Sequence, residues 1–576
     1  MNSIKKIYYL LSTKEKYLFC LILILSILNM FLDIFSIGIL IPFIASLTGE
    51  LRFDNDFFNL ILSTLKYDIF KQTSSIVLII ILIFVVKNFI LLVHKWFENK
   101  LVYEFLRKNS KNLLNFYMNK DYLFHIKNNS SELIKNIQNE SNLVSFNILK
   151  PIISILTLLI SVVTILIFLI GINAQITLAT SFFLLSIGTI FSSFTKKTLK
   201  KLGDNRNLHS GLSLKSLQQI FLSIREIIIS NKKFFFLKNY DYHNFKNLES
   251  SQKSNFINSI PKSIIEISVI LLIGIIIIFL ETSKVSFSEI ILTLTIFVLA
   301  ASRLLPGISN IVSNISTLIY NVNALNIFDN NFFKFLKKNK YESNEEKVNK
   351  IYFKKIQFKN VSFKYPGRKK KIISNLNLSL KYNDKVGIIG DSGSGKSTLI
   401  NILVGLLKPS EGEILIDGLK IKSLDKKWYN SISYVPQNTF TLDENLNDNI
   451  SLGDKNVELK YLNKIVGILN LDHIKKQYSN LNTIGERGSR ISGGQNQRIG
   501  LARALYKKTK ILILDESLNS IDVDSRDKIL ESIFEIYKKK LVILVSHQFD
   551  ALKKFNVILD VRNSKIIKLN KDKKFK

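Results

Sequence analysis

One cysteine, Cys20, stands among 576 residues, so no disulfide within the chain and no multi-cysteine metal site can form. Cys20 falls inside the first apolar run, where a thiol reads as a small buried hydrophobe. Acidic residues are also in short supply, 45 against 80 Lys and Arg, for a net charge of +35. A clustered surplus of that sign attracts phosphate backbones. Here the charge is spread through a chain rich in Lys, Asn and Ile, and no nucleic-acid reader motif accompanies it. Membrane proteins concentrate basic residues in their cytoplasmic loops, so a nucleic-acid partner is not expected.

Long apolar runs are what the chain has instead. Stretches such as IVLIIILIFVV and ILLIGIIIIFL crowd the first 310 residues, whereas the rest alternates short strands with amphipathic helices. The length exceeds what one hydrophobic core organises, and this shift in composition divides it into a membrane part and a soluble part. Lys5 and Lys6 ahead of an apolar stretch imitate a secretory signal, but the stretch from Leu18 to Leu47 is too long for a signal core and reads as an uncleaved span.

A helix crosses about 30 Å of hydrocarbon with about 20 residues. Six segments qualify, at 18–47, 75–93, 147–171, 174–194, 263–280 and 287–306, the third and fourth joined by the short hairpin GINAQ. Loop charge sets their direction: residues 94–150 carry nine Lys or Arg against five acids and 195–262 thirteen against four, while 48–74 carry three against four. The N-terminus, both basic loops and the C-terminal part are therefore cytoplasmic. The basic loops keep helical periodicity, as in YEFLRKNSKNLLNFYMNKDYLFHI, and read as spans extended into the cytosol. The charged stretch NNFFKFLKKNKYESNEEKVNK lacks periodic apolar residues and marks a linker. The expected organisation is an α-helical membrane domain over 1–325, a linker over 326–345 and a soluble α/β domain over 346–576.

In the soluble part, KVGIIGDSGSGKSTLINILVGLL is a strand, a glycine-rich loop and a helix, with the spacing G-x-x-x-x-G-K-[ST] in Gly390, Gly395, Lys396 and Ser397. The loop Gly390, Asp391, Ser392, Gly393, Ser394, Gly395, Lys396, Ser397 and Thr398 is the candidate ATP cradle, because such a loop turns successive N–H groups toward phosphate oxygens. Lys396 would neutralise the terminal phosphates and Ser397 would ligate Mg²⁺. A second strand, KILILDES, ends in Asp515, expected to hold Mg²⁺ through water, and Glu516, expected to be the general base. A third, LVILVS, delivers His547 to the same edge, either as a γ-phosphate contact or as an ordinary polar loop residue.

With those three strand ends in place, ISGGQNQRIGLARAL ahead of the second strand resembles the signature motif of ABC transporters, and the soluble domain resembles their nucleotide-binding domain. The resemblance implies nucleotide contacts from Ser492, Gly493, Gly494 and Gln495. It implies a catalytic and Mg²⁺-ligating role for Gln437 in YVPQN, a D-loop role for Asp522, and adenine stacking by Tyr365, whose other reading is a strand-surface tyrosine. TIGERGSR, with Glu486, resembles the loop that precedes the signature in exporters. Ile491, Ile521 and Gln548 depart from the usual residues, and none of them removes a catalytic function. The family sandwiches ATP between one domain's phosphate loop and the other's signature, which implies a second copy of this chain, a homodimer, with a heterodimer as the alternative.

Six spans ahead of the motor resemble the exporter class, and DIFSIGILIPFIASL with ILTLTIFVLAASRLLPGISNI are similar to PglK-type flippases of lipid-linked oligosaccharides. The expectation is an ATP-driven flippase in the bacterial inner membrane, moving an anionic lipid-linked glycan from among the membrane lipids. The alternatives are an exporter of lipid A, a peptide or a drug, and a membrane protein that uses ATP for regulation. Lys87, Lys262 and Arg303 lie at membrane depth and are candidate contacts for a diphosphate headgroup. The competing reading has Lys262 and Arg303 snorkelling to the interface and Lys87 paired with Asp33 or Glu266. The external segment DFFNLILSTLKYDIF is either an interfacial helix or a small cap.

Overall fold

The computed structural model describes residues 3–38, 73–282, 287–339, 352–420, 426–454, 456–478, 483–562 and 564–569. The external segment and the end of the first expected span, residues 39–47, lie outside them. Two compact units result, one of residues 1–120 and 127–343, the other of 121–126 and 344–576.

Among the described residues the first unit holds six helices long and apolar enough to cross a membrane. We label them α1 (Thr13–Gly38), α2 (Thr73–Met118), α3 (Lys150–Ile172), α4 (Ala174–Leu222), α5 (Lys233–Thr282) and α6 (Phe287–Asn321). At 1.5 Å per residue, the 49 residues of α4 extend about 74 Å, more than twice the hydrocarbon thickness, so the periodic basic segments are indeed continuous with the spans. Only Asn173 separates α3 from α4, and its side chain accepts from the Ile176 N–H to start the next helix. Two π-helical turns, Asn136–Glu140 and Ser145–Leu149, lie in the segment leading into α3. Beside them Glu140, 2% exposed, pairs with Arg206 at 3.4 Å and Lys135 at 3.9 Å.

Two sequence expectations need correcting in this unit. The expected linker carries a ten-residue helix, Asn330–Asn339, since Phe332 and Phe335 three residues apart share one face and both meet Phe116 at 5.4 Å. Cys20 is exposed on α1 rather than buried, on an apolar helix surface that lipid covers.

The second unit is built on ten strands, among them β1 (Lys355–Phe363), β2 (Ile373–Lys381), β4 (Glu411–Ile416), β5 (Leu419–Lys420), β9 (Val557–Arg562) and β10 (Lys565–Leu569), with β3 and β6 to β8 given below; among the described residues they form a six-stranded sheet, β10-β9-β3-β8-β7-β6, and a four-stranded antiparallel sheet, β2-β1-β4-β5. The strands that matter below are β3 (Lys385–Gly390), β6 (Ile432–Val435), β7 (Ile511–Asp515) and β8 (Leu541–Val545), all mutually parallel. Every residue of β7 and β8 is buried, as expected of a sheet covered on both faces. Leu512, Leu514, Val542 and Leu544 feed one core; Ile511, Ile513, Leu541, Ile543 and Val545 feed the other. Leu123, from the segment that clusters with this unit, packs on the second core, and Asp121 lies 3.7 Å from Lys408.

Candidate functional site

Parallel strands bring their C-terminal ends to one edge, and β3, β7 and β8 deliver Gly390, Asp515 and, just beyond β8, His547 there. The turn after β3 needs its glycines. Gly390 has φ 145°, and a Cβ there would lie 2.4 Å from the Val561 carbonyl oxygen; Gly395 has φ 111°, with Ile372 at 2.9 Å. Lys396 opens the next helix, is only 6% exposed, and donates to the carbonyls of Gly390 (2.9 Å) and Asp391 (3.0 Å). Asp391, Ser392, Gly393 and Ser397 are exposed along the loop, Thr398 is buried, and the buried Ser394 Oγ has no partner.

Glu516 occupies the left-handed region at φ 51°, a conformation costly for a residue with a Cβ, and its carboxylate is held from both sides. Gln437 Nε2 donates to Oε2 at 2.9 Å, and His547 Nε2 lies 2.9 Å from Oε1 and 3.3 Å from the Lys396 ammonium. Asp515 is raised above the usual carboxylate range, first by burial and then by Glu516; the Tyr434 hydroxyl, donating to Oδ2 at 3.0 Å, and Lys396 oppose the rise. Tyr434 is the functional-site residue that sequence reading missed. It stands three residues before Gln437 on β6, which pairs with β7, so position on the strand edge was its available signal. Tyr365 reaches Thr398 at 3.5 Å and stacks edge-on against Phe363, leaving it beside the phosphate loop.

The signature residues form a second cluster. Ser492 caps the helix Gly493–Tyr506 in a reciprocal capping box with Gln495, and a Cβ at Gly494 would sit 3.0 Å from the Ser520 carbonyl. Asp522 caps the helix Val523–Ile536 and lies 3.7 Å from Arg498. Hydrogen bonds from the Ser525 N–H and hydroxyl hold its carboxyl below the ordinary value. Glu486 begins a single 3₁₀ turn ahead of the signature. Among the described residues no hydrogen bond joins Ser492–Gln495 to the phosphate loop.

A strained glycine loop, a buried lysine and a carboxylate gripped by an amide and an imidazole are groups suited to holding and cleaving a phosphate chain. Residues 373–519 match the family model described as ABC transporter. Across 96% of this chain and 95% of the other, the structure is similar to a bacterial Atm1-family ABC exporter with ATP bound, at TM-score 0.76 and 16% identity. The fold is that of an ABC exporter. Similar curated proteins include the ATP-dependent lipid A-core flippase of Wigglesworthia glossinidia brevipalpis, 34% identical over 35% of this chain and 36% of the flippase. The alpha-hemolysin translocation ATP-binding protein HlyB of Escherichia coli is 36% identical over 35% of this chain and 29% of HlyB. The chain thus spans about a third of the length of the curated relatives it matches.

The oxygen donors of Ser397, Gln437 and Asp515 suit a hard cation such as Mg²⁺, and Gln437 keeps its amide oxygen available because its nitrogen serves Glu516. In the first unit the three expected cations differ. Lys87 is buried and paired with Asp33; Lys262 is exposed and lies 3.9 Å from Glu266. Arg303 is half-buried with its guanidinium 5.8 Å from the Phe84 ring, which Lys87 also approaches at 5.8 Å.

Proposed function

We propose that this chain hydrolyses ATP to drive an amphiphile across the bacterial inner membrane, with a lipid-linked glycan as the substrate. What carries the reading is Glu516, fixed between Gln437 and His547 beside Lys396, in a chain whose other unit supplies six membrane-length helices. Lys396 and the loop N–H groups bind the terminal phosphates, Tyr365 takes the adenine, and Glu516 accepts the proton of an attacking water. His547 and Gln437 hold that carboxylate in line. Mg²⁺, bound by Ser397, Gln437 and, through water, Asp515, neutralises phosphate charge. Two copies of the chain complete two equivalent sites, each lending Ser492, Gly493, Gly494, Gln495 and Asp522 to the nucleotide on its partner.

Support for an anionic headgroup comes from Arg303 and Lys87, which share Phe84, and from the exposed Lys262. The names of the similar proteins, a lipid A-core flippase and a hemolysin translocator, favour a second reading in which another amphiphile is carried. ATPase stimulation in liposomes containing lipid-linked saccharides, lipid A or peptides separates these. Stimulation by the saccharides, lost in Arg303→Gln/Lys87→Gln with basal hydrolysis intact, is expected; stimulation by lipid A or peptide alone overturns the glycan reading.

A further inference from the structure

Helices α1 and α2 turn polar side chains inward along one line, with Ile22 the buried apolar residue at its cytoplasmic end on α1. Between residues 77 and 100 of α2 the only buried residues are Lys87, His94 and Glu98, while Leu78, Leu82, Phe89 and Leu92 are exposed. On α1, Ser26, Asn29 and Ser36 are buried and Asp33 is 16% exposed, one helical face by spacing. The Asp33–Lys87 pair fixes the antiparallel register, which places Ser26 level with His94 and Asn29 between the two levels. From Lys87 to Glu98 the seam covers about 16 Å, half the hydrocarbon thickness, ending at the cytoplasmic side beside exposed Lys95.

The serines satisfy themselves on their own helix, through the carbonyls of Leu23 and Asp33. Three other atoms do not: Asn29 Oδ1, His94 Nε2 and Glu98 Oε1 are buried with no hydrogen-bond partner. Orphans at such depth are costly, and a file of waters is what satisfies polar groups spaced a turn apart. The neighbouring charges are few. Lys95 binds the other oxygen of Glu98 at 2.7 Å, Lys150 of α3 reaches Asn99 at 3.5 Å, and Arg303 of α6 reaches Phe84.

The geometry points to a hydrated proton path from the cytoplasmic surface to Asp33, through which Asp33 is protonated whenever Lys87 is drawn away to an anion. Stripping Asp33 of its cation leaves a buried uncompensated carboxylate, and one proton removes that cost. The proton leaves a hydronium ion of the cytosol, whose O–H bond breaks to leave water, and it passes Glu98, His94 and the intervening waters. It ends on a carboxylate oxygen of Asp33; the only new bond is that O–H, and Lys87 keeps its ammonium. An imidazole, able to receive at one nitrogen and release at the other, suits the middle of the path. The link to substrate rests on the headgroup reading of Lys87; the path itself does not.

Both tests therefore omit substrate. In the full-length chain with Cys20→Ser, reconstituted in liposomes, Asn29→Cys and Ser26→Cys should be blocked by silver ion added on the cytoplasmic side, and lipid-facing Ile24→Cys should not. Seam cysteines as unreactive as Ile24→Cys overturn the hydrated path. In Lys87→Met the infrared stretch of a protonated carboxyl should appear, be lost in Lys87→Met/Asp33→Asn, and shift on transfer to D₂O. Its absence from Lys87→Met overturns the proton role. Asn29→Cys keeps every charge, so the labelling test stands even if Lys87→Met does not fold. A path confirmed by both tests alongside failed glycan transport sinks only the substrate reading.

Discussion

Glu516 in the soluble unit has a hydrogen-bonding neighbour on each carboxylate oxygen, whereas Glu98 in the membrane unit, more deeply buried, has one oxygen with none. The soluble site gathers its groups from three strand ends of one sheet, where a parallel register fixes each position to its neighbours. The membrane unit sets its polar groups along two helix faces, which two ion pairs tie together among the described residues, Asp33–Lys87 and, far along α2, Glu15–Lys108. A shared sheet register over-determines where a charge sits; two helix faces joined at few points leave buried polar groups under-satisfied.

Glu516→Gln breaks the first side of this contrast and carries the largest expected effect. The amide keeps both contacts in shape but takes no proton from water, so steady-state phosphate release should fall by about 10²–10⁴-fold with ATP affinity retained. Near-normal turnover would move the base elsewhere.

Glu140, held by two ion pairs although its Oε1 accepts no hydrogen bond, tests what a buried charge in the membrane unit is worth beside Glu516. Glu140→Ala leaves Arg206 and Lys135 facing each other inside the protein and should destabilise the unit by about 3–5 kcal/mol in thermal unfolding. Lys371→Ala, removing the exposed contact to Glu411 in the soluble unit, should leave the unfolding midpoint where it was.

Gly203→Ala asks about packing instead of charge. Its Cβ would fall 2.1 Å from the Tyr320 carbonyl oxygen, where α4 and α6 touch backbone to backbone, and a cost of about 1–3 kcal/mol is expected. A mutant melting like the parent would show that α6 is free to shift.

The smallest effect concerns Lys385, which donates to the carbonyls of Tyr537 and Lys540 and is pushed down to about 8 by burial. The unfolded chain holds that proton more tightly than the folded one. Stability of the soluble unit should therefore rise with pH from about 8 toward the ordinary lysine value of about 10.4. Lys385→Met should flatten that slope in chemical unfolding followed across the range.

The same contrast explains what was legible in the sequence. Lys396, Asp515, Glu516 and His547 sit at fixed offsets from strands whose apolar runs announce themselves, so the order of residues is nearly the geometry. Tyr434 carries no motif, and its value depends on β6 lying next to β7. Ser26, Asn29 and Asp33 look like stray polar residues until their helix is paired with α2, because a spacing of three and four residues names a face without naming what it faces. Lys87 had two acids open to it, and the pairing with Asp33 needed the fold. The helix Asn330–Asn339 was hidden by its lysines and asparagines, although Phe332 and Phe335 alone anchor it on Phe116.

The left-handed backbone at Glu516 puts fitness and foldability at odds at a single position. A glycine would relax there, gaining roughly 1 kcal/mol in a conformation that L-residues avoid, so under the general-base role proposed for Glu516 the tougher protein is the inactive one. Under that role, selection for heat resistance alone should drift toward Glu516→Gly, and a demand for turnover should hold the glutamate.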